Sequence, residues 1–205
     1  MGQGGGGIIL SMIAFALVWG VVIRQLPLSY PHARFGGCNA VTLIRAGLVS
    51  VLLAPLAGPD LATSQMGWLL LGISIVSLSL DGVDGWLARK SGLVSAFGAR
   101  FDMEVDAAFA AVLCVLALAL DKAGLWLLAL GFMRYAFVAA ALVWPWLLNP
   151  LPERFSRKVV CVLQIAALIA LLAPVVQPPV SQGVALVALL ALIWSFAIDI
   201  LGLAR

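Results

Sequence analysis

Charge is scarce in this sequence. Only 10% of its 205 residues are charged and 64% are hydrophobic, whereas a soluble domain carries about 25% charged residues. The chain therefore lacks the polar surface that a water-soluble fold needs. Histidine is nearly absent: His32 stands alone, so neither a histidine metal site nor a histidine-based triad can be built. The three cysteines, Cys38, Cys114 and Cys161, lie far apart without ligand-like spacing and read as packing thiols. Met1–Gly7 contains no Lys or Arg and no cleavage site follows, so the first apolar run reads as a membrane helix rather than a signal peptide. Period-2 alternation is also missing from the long apolar runs, which excludes barrel strands.

What is present is a series of Leu-, Ala- and Val-rich runs, several long enough for a hydrocarbon core that takes roughly 20 helical residues to cross. Read against Pro and Gly breakers, they give seven helices, at about 8–23, 39–57, 67–88, 102–120, 123–147, 157–174 and 183–203. The expected fold is all-α, a polytopic membrane helix bundle. Basic residues alternate between the connections. Arg24 and Arg34 fall in the first, Arg89, Lys90 and Arg100 in the third, and Arg154, Arg157 and Lys158 in the fifth, with Arg205 at the end. The even-numbered connections hold only Lys122. This pattern puts the odd connections and the C-terminus in the cytoplasm and the N-terminus outside. The net charge of +3 orients the chain against anionic headgroups and calls for no nucleic acid.

Acidic residues are rarer still, seven Asp and two Glu, yet four of the seven Asp fall within 26 residues. Asp81 and Asp84 are spaced i, i+3, and Asp102 and Asp106 i, i+4, so each pair shares a helix face. Both pairs lie near the expected cytoplasmic ends of consecutive helices. Four carboxylates converging there would repel one another unless something positive sat between them. With histidine excluded, a hard divalent cation such as Mg²⁺ or Mn²⁺ suits an all-oxygen site. A solvated hairpin outside the membrane is the plainer alternative, but ionisable residues at membrane depth default to function.

The whole segment runs Asp81-x2-Asp84-Gly85-x2-Ala88-Arg89-x8-Gly98-x3-Asp102-x3-Asp106. It resembles the signature of the CDP-alcohol phosphatidyltransferases at all eight specified positions. Upstream, Asn39-x2-Thr42-x2-Arg45 is similar to that family's N-x2-T-x2-R. Downstream, Lys158 and Gln164 match part of a G-K-x-K-T-x2-Q pattern, from which Arg157, Val160 and Cys161 depart.

The resemblance implies a six-helix catalytic domain over 39–205, with residues 1–38 adding an N-terminal membrane helix and connection. It implies transfer of a phosphatidyl group from CDP-diacylglycerol to an alcohol, with CMP released. It also implies a two-metal site on Asp81, Asp84, Asp102 and Asp106, with Asp106 as general base. Asn39, Thr42, Gly82, Gly85, Ala88 and Arg89 would hold nucleotide and phosphate. Gly82, Gly85 and Gly98 also fit ordinary small-residue packing between helices. A homodimer in a bacterial cell membrane, with the site facing the cytoplasm, completes the expectation.

Arg134, mid-span in Gly131-Phe-Met-Arg134-Tyr135, is expected to face an internal polar cavity and, with Lys158, to serve the acceptor; the family's Glu is replaced by Tyr135. Arg45 has two readings, phosphate binder or positive-inside anchor. Asp199 also has two, ion-pair partner of Arg134 or dimer contact. The seven Trp read as interfacial or packing residues. A CDP-choline or CDP-ethanolamine transferase acting on a lipid alcohol shares the signature and remains the alternative. A small transporter should spread its polar residues through the bilayer, often in repeated halves. Here they bunch at one end of two helices, without a repeat.

Overall fold

The computed structural model describes residues 5–30, 36–91, 95–148 and 154–203; the side chains of 27–29, 84–86, 88–91, 148 and 203 are outside that description. Seven α-helices follow one another: α1 (Gly5–Ser29), α2 (Gly37–Val51), α3 (Ser64–Ser91), α4 (Ala96–Ala119), α5 (Leu128–Val143), α6 (Phe155–Leu172) and α7 (Val180–Leu203). Short 3₁₀ turns occupy Ala54–Ala57, Leu125–Leu127 and Pro145–Leu148. No strand occurs among the described residues.

Six of these segments are long and apolar enough to cross a membrane, and the chain is an integral membrane protein. By composition α4 falls short, because Arg100, Asp102, Glu104 and Asp106 crowd its first three turns. Thirteen uncharged residues, Ala107–Ala119, complete it.

The seven expected helices are all found, and their ends differ for local reasons. α1 passes through Pro27 to Ser29, since proline's fixed φ is itself helical and only its own N–H is lost. α4 begins six residues earlier than the apolar run. Ser95 caps it, its Oγ accepting from the Gly98 N–H at 3.0 Å. The expected helix 123–147 is broken at Trp144, whose ψ of 84° leaves the helical region, as the following Pro145 requires.

The chain divides into two compact units, Met1–Val112 and Leu113–Arg205. In the first, α2 packs on α3 and α1 packs on α2 and the Ala54–Ala57 turn. Unlike a soluble protein, the unit keeps large apolar side chains on its surface as well as in its core. Ser50, Ser74 and Ser77 are buried while Ile44, Val51, Leu69, Ile75 and Val76 are exposed. Ser50 and Ser74 donate back to the carbonyls of Ala46 and Leu70, at 2.8 and 2.7 Å, which satisfies a hydroxyl inside the bundle and keeps the interface slim.

In the second unit α6 packs on α7 around Leu168, Leu171, Leu172, Ala185 and Leu192. α4 stops at Asp121, which adopts a left-handed φ of 53°. The Lys122 N–H reaches back to the Ala117 carbonyl and the Asp121 N–H to Leu118, both at 3.0 Å, a Schellman stop with Asp in the place usually taken by Gly. Lys122 itself is buried. Its ammonium donates to the carbonyls of Ala173 (3.2 Å) and Val176 (2.7 Å) beyond α6, and its own carbonyl accepts from Ser181 Oγ at 2.5 Å.

Candidate carboxylate site

Three helices of the first unit build the site. α2 buries a stripe comprising Asn39, Thr42, Arg45 and Ala46, the i, i+3, i+6 spacing that keeps side chains on one face. α3 supplies Asp81, and α4 supplies Asp102 and Asp106 one turn apart. Carboxylate oxygens of these three aspartates lie within 4.8 Å of one another. Of the four aspartates expected at a metal, the structure thus brings Asp81, Asp102 and Asp106 together as a group that could hold one. Asp84, Gly85, Ala88 and Arg89 lie on α3, but their side chains are outside the described residues.

The positive partner that the acidic pattern demanded is in part a protein side chain. Arg45, fully buried, places Nη1 at 2.9 Å from Asp81 Oδ1 and 2.6 Å from Asp102 Oδ1, while Nη2 donates to Asp106 Oδ1. The planar guanidinium has enough donors in a fixed fork to serve three acids at once. This adds a third reading of Arg45 to the two drawn from the sequence, that of partner to the aspartates. A side chain this deeply buried does not sit at the interface as an anchor. A lone charge in an apolar helix needs a countercharge, and the acid-rich segment 81–106 supplies it.

The first turn of α4 approaches α2 closely at Gly98. A Cβ there would stand 2.7 Å from Asn39 Oδ1 and 3.2 Å from Ser95 Oγ, so the signature glycine is explained by packing. Gly82 is different: a Cβ on it would meet nothing within 4 Å. Tyr30 packs edge-on against Phe97, which stacks on Phe101, both at 5.9 Å between centroids. The Tyr30 hydroxyl accepts from the Gly36 N–H at 3.0 Å. The entry to α2 is thereby fastened to the acidic end of α4.

Asn39 and Thr42, expected at the nucleotide, are both buried. Thr42 Oγ1 donates to the Cys38 carbonyl at 3.1 Å. Among the described residues the buried Asn39 Nδ2 finds no acceptor.

The expected acceptor residues belong to the second unit. Arg134 is half-buried on α5, and Lys158 is exposed in the first turn of α6. Gln164 Nε2 donates to the Leu130 carbonyl at 2.5 Å, so it ties α6 to α5. Asp199 pairs with Arg154 at 3.3 Å and Arg157 at 3.8 Å, rather than with Arg134. Cys38 and Cys114 are buried as packing thiols, but Cys161 is exposed.

The residues fit a hard divalent cation. Three carboxylates against one guanidinium leave a charge of −2 in this group, and the ligand atoms are all oxygen. A helical membrane protein with an acidic, cation-suited site at the head of one helix is the class that fold and geometry define. A family model described as CDP-alcohol phosphatidyltransferase matches residues 37–198, which contain every element of this site. The chain belongs to the CDP-alcohol phosphatidyltransferase family. It is a phosphotransferase acting on CDP-activated alcohol substrates, and the family generally uses a divalent metal. No curated protein and no solved structure matches the chain.

Proposed function

We propose that the chain transfers a phosphatidyl group from CDP-diacylglycerol to an alcohol and releases CMP. The observation that carries this is the convergence of Asp81, Asp102 and Asp106 at three signature positions within a match of 162 residues (198 − 37 + 1). Asp81, Asp84, Asp102 and Asp106 would hold Mg²⁺ or Mn²⁺, in a two-metal arrangement. When bound, the metal neutralises charge on the pyrophosphate and on the departing CMP oxygen.

The chain's own residues do the rest. Asp106 accepts the hydroxyl proton as the acceptor oxygen bonds to the lipid-side phosphorus and the bond to the bridging oxygen breaks. Arg89 pairs with a phosphate of the nucleotide. Asn39 and Thr42 line the base of that subsite, and the Asn39 amide donor, which meets no acceptor among the described residues, supports this. Gly82, Gly85 and Ala88 give the nucleotide close access; the open space beside Gly82 supports that reading. Arg134 and Lys158 serve the acceptor. Residues 39–205 form the catalytic domain, with α1 an added span. The Lys/Arg alternation supports a cytoplasm-facing site; the membrane would be a bacterial cell membrane and the working form a homodimer.

The test offers labelled CDP-diacylglycerol with a panel of alcohols to detergent-purified protein, with CDP-choline plus diacylglycerol as a parallel arm. Metal-dependent CMP release in the first arm is expected. Release only in the second arm would move the assignment to a transferase acting on a lipid alcohol. Release in neither would overturn it.

A further inference from the structure

The guanidinium of Arg45 occupies the side of the carboxylates that a cation would also seek. Its two terminal nitrogens serve three acids carried by two different helices, across sequence separations of 57 and 61 residues for Asp102 and Asp106. We propose that Arg45 is the resident counter-ion of this site. It holds Asp81, Asp102 and Asp106 together when no metal is bound, and it competes with the divalent ion for them. The inference rests on the metal-site reading above.

Two physical terms act in opposite directions. Without Arg45 the acids repel one another, so the metal-free bundle loses stability; a buried ion pair broken on one side is strongly destabilising. With Arg45 in place, a divalent ion entering the half-buried cluster meets a fixed positive charge that solvent screens only in part. The metal therefore binds more weakly than the carboxylates alone would allow. A purely structural arginine predicts the reverse, because scattering the ligands on its removal would weaken binding. The sign of the change in metal affinity decides between them.

The experiment strips full-length protein of metal in detergent and titrates it with Mn²⁺, reading free Mn²⁺ by electron paramagnetic resonance and melting temperature in parallel. Arg45→Met removes the charge and adds no hard ligand, since a thioether suits soft metals. Its Mn²⁺ affinity should rise by about tenfold or more through lost repulsion, while its metal-free melting temperature falls. Arg45→Lys keeps the charge but loses the fork. It should bind Mn²⁺ within about threefold of the wild type, the charge being the same, and still melt earlier. Unchanged or weaker Mn²⁺ binding in Arg45→Met overturns the proposal.

If Arg45→Met folds only with Mn²⁺ present, the counter-ion role stands; if millimolar Mn²⁺ does not restore folding, it falls. The wild-type titration separates this inference from the reading beneath it. Wild type that binds Mn²⁺ while Arg45→Met is unaltered leaves the metal site intact and removes only the role of Arg45. If neither protein binds Mn²⁺, both readings fall.

Discussion

Among the described residues two basic side chains are buried, one in each unit, and they are neutralised in different ways. Arg45 in the first unit meets three carboxylates. Lys122 in the second meets two main-chain carbonyls just past the end of α6. Carbonyls at a helix C-terminus carry partial negative charge and suit a cation without needing a counter-ion, so the lysine fastens two connections and nothing competes with it. The carboxylates around Arg45 keep an excess of negative charge, which leaves room for a further cation. What surrounds the buried charge, rather than the charge itself, separates a chemical site from a structural fastening.

Breaking the acidic side should have the largest effect. Asp102→Ala should reduce metal-dependent CMP release below detection, because it removes a carboxylate from α4 at the centre of the cluster; retained release with normal Mg²⁺ dependence would remove Asp102 from the site. Asp106→Asn preserves shape but loses the basic oxygen. Its rate should fall by about 10² to 10⁴, the usual contribution of a placed proton acceptor, while CDP-lipid binding changes little. A fall in binding equal to the fall in rate would make Asp106 chiefly a ligand.

The two glycines sharpen the contrast within the first unit. Gly98→Ala drives a Cβ against the buried Asn39 amide and should cost about 1–3 kcal/mol by overpacking, read as a lower melting temperature. Gly82→Ala meets open space, so it should leave melting unchanged and raise KM for the CDP-lipid.

In the second unit, Lys122→Met should cost about 1–3 kcal/mol by leaving carbonyls unsatisfied, with activity kept below the melting point. A smaller pH effect follows. Burial lowers the Lys122 pKa from 10.5, so between that lowered value and 10.5 the unfolded chain holds more protons than the folded one. Stability should therefore rise with pH in the alkaline range below 10.5, and melting curves of Lys122→Met should lose that slope.

Much of the fold was legible because helices in a membrane announce themselves through long apolar runs and Pro or Gly breaks. All seven helices were found that way. The breaks at Trp144 and Ser95 depend on local backbone chemistry at the ends, which apolar periodicity does not report. The acidic positions were legible because Asp is rare and their spacing is fixed. The role of Arg45 was not, because its partners lie 36 to 61 residues away on other helices, and periodicity describes only what one helix does to itself. The same limit left Asp199 between two partners: its choice of Arg154 and Arg157 depends on how α6 meets α7.

From Asp102 to Ala119, α4 runs 18 residues, about 26 Å at 1.5 Å per residue. A bilayer's hydrocarbon layer is about 30 Å thick. On the seven-span reading α4 is a ruler: its Asp121 stop lies at one headgroup layer and its carboxylates at the other, the depth at which a lipid's phosphates lie. Turnover should then depend on the acyl-chain length of the surrounding lipid, since a bilayer too thick or too thin tilts the ruler or displaces its acidic end from the substrate.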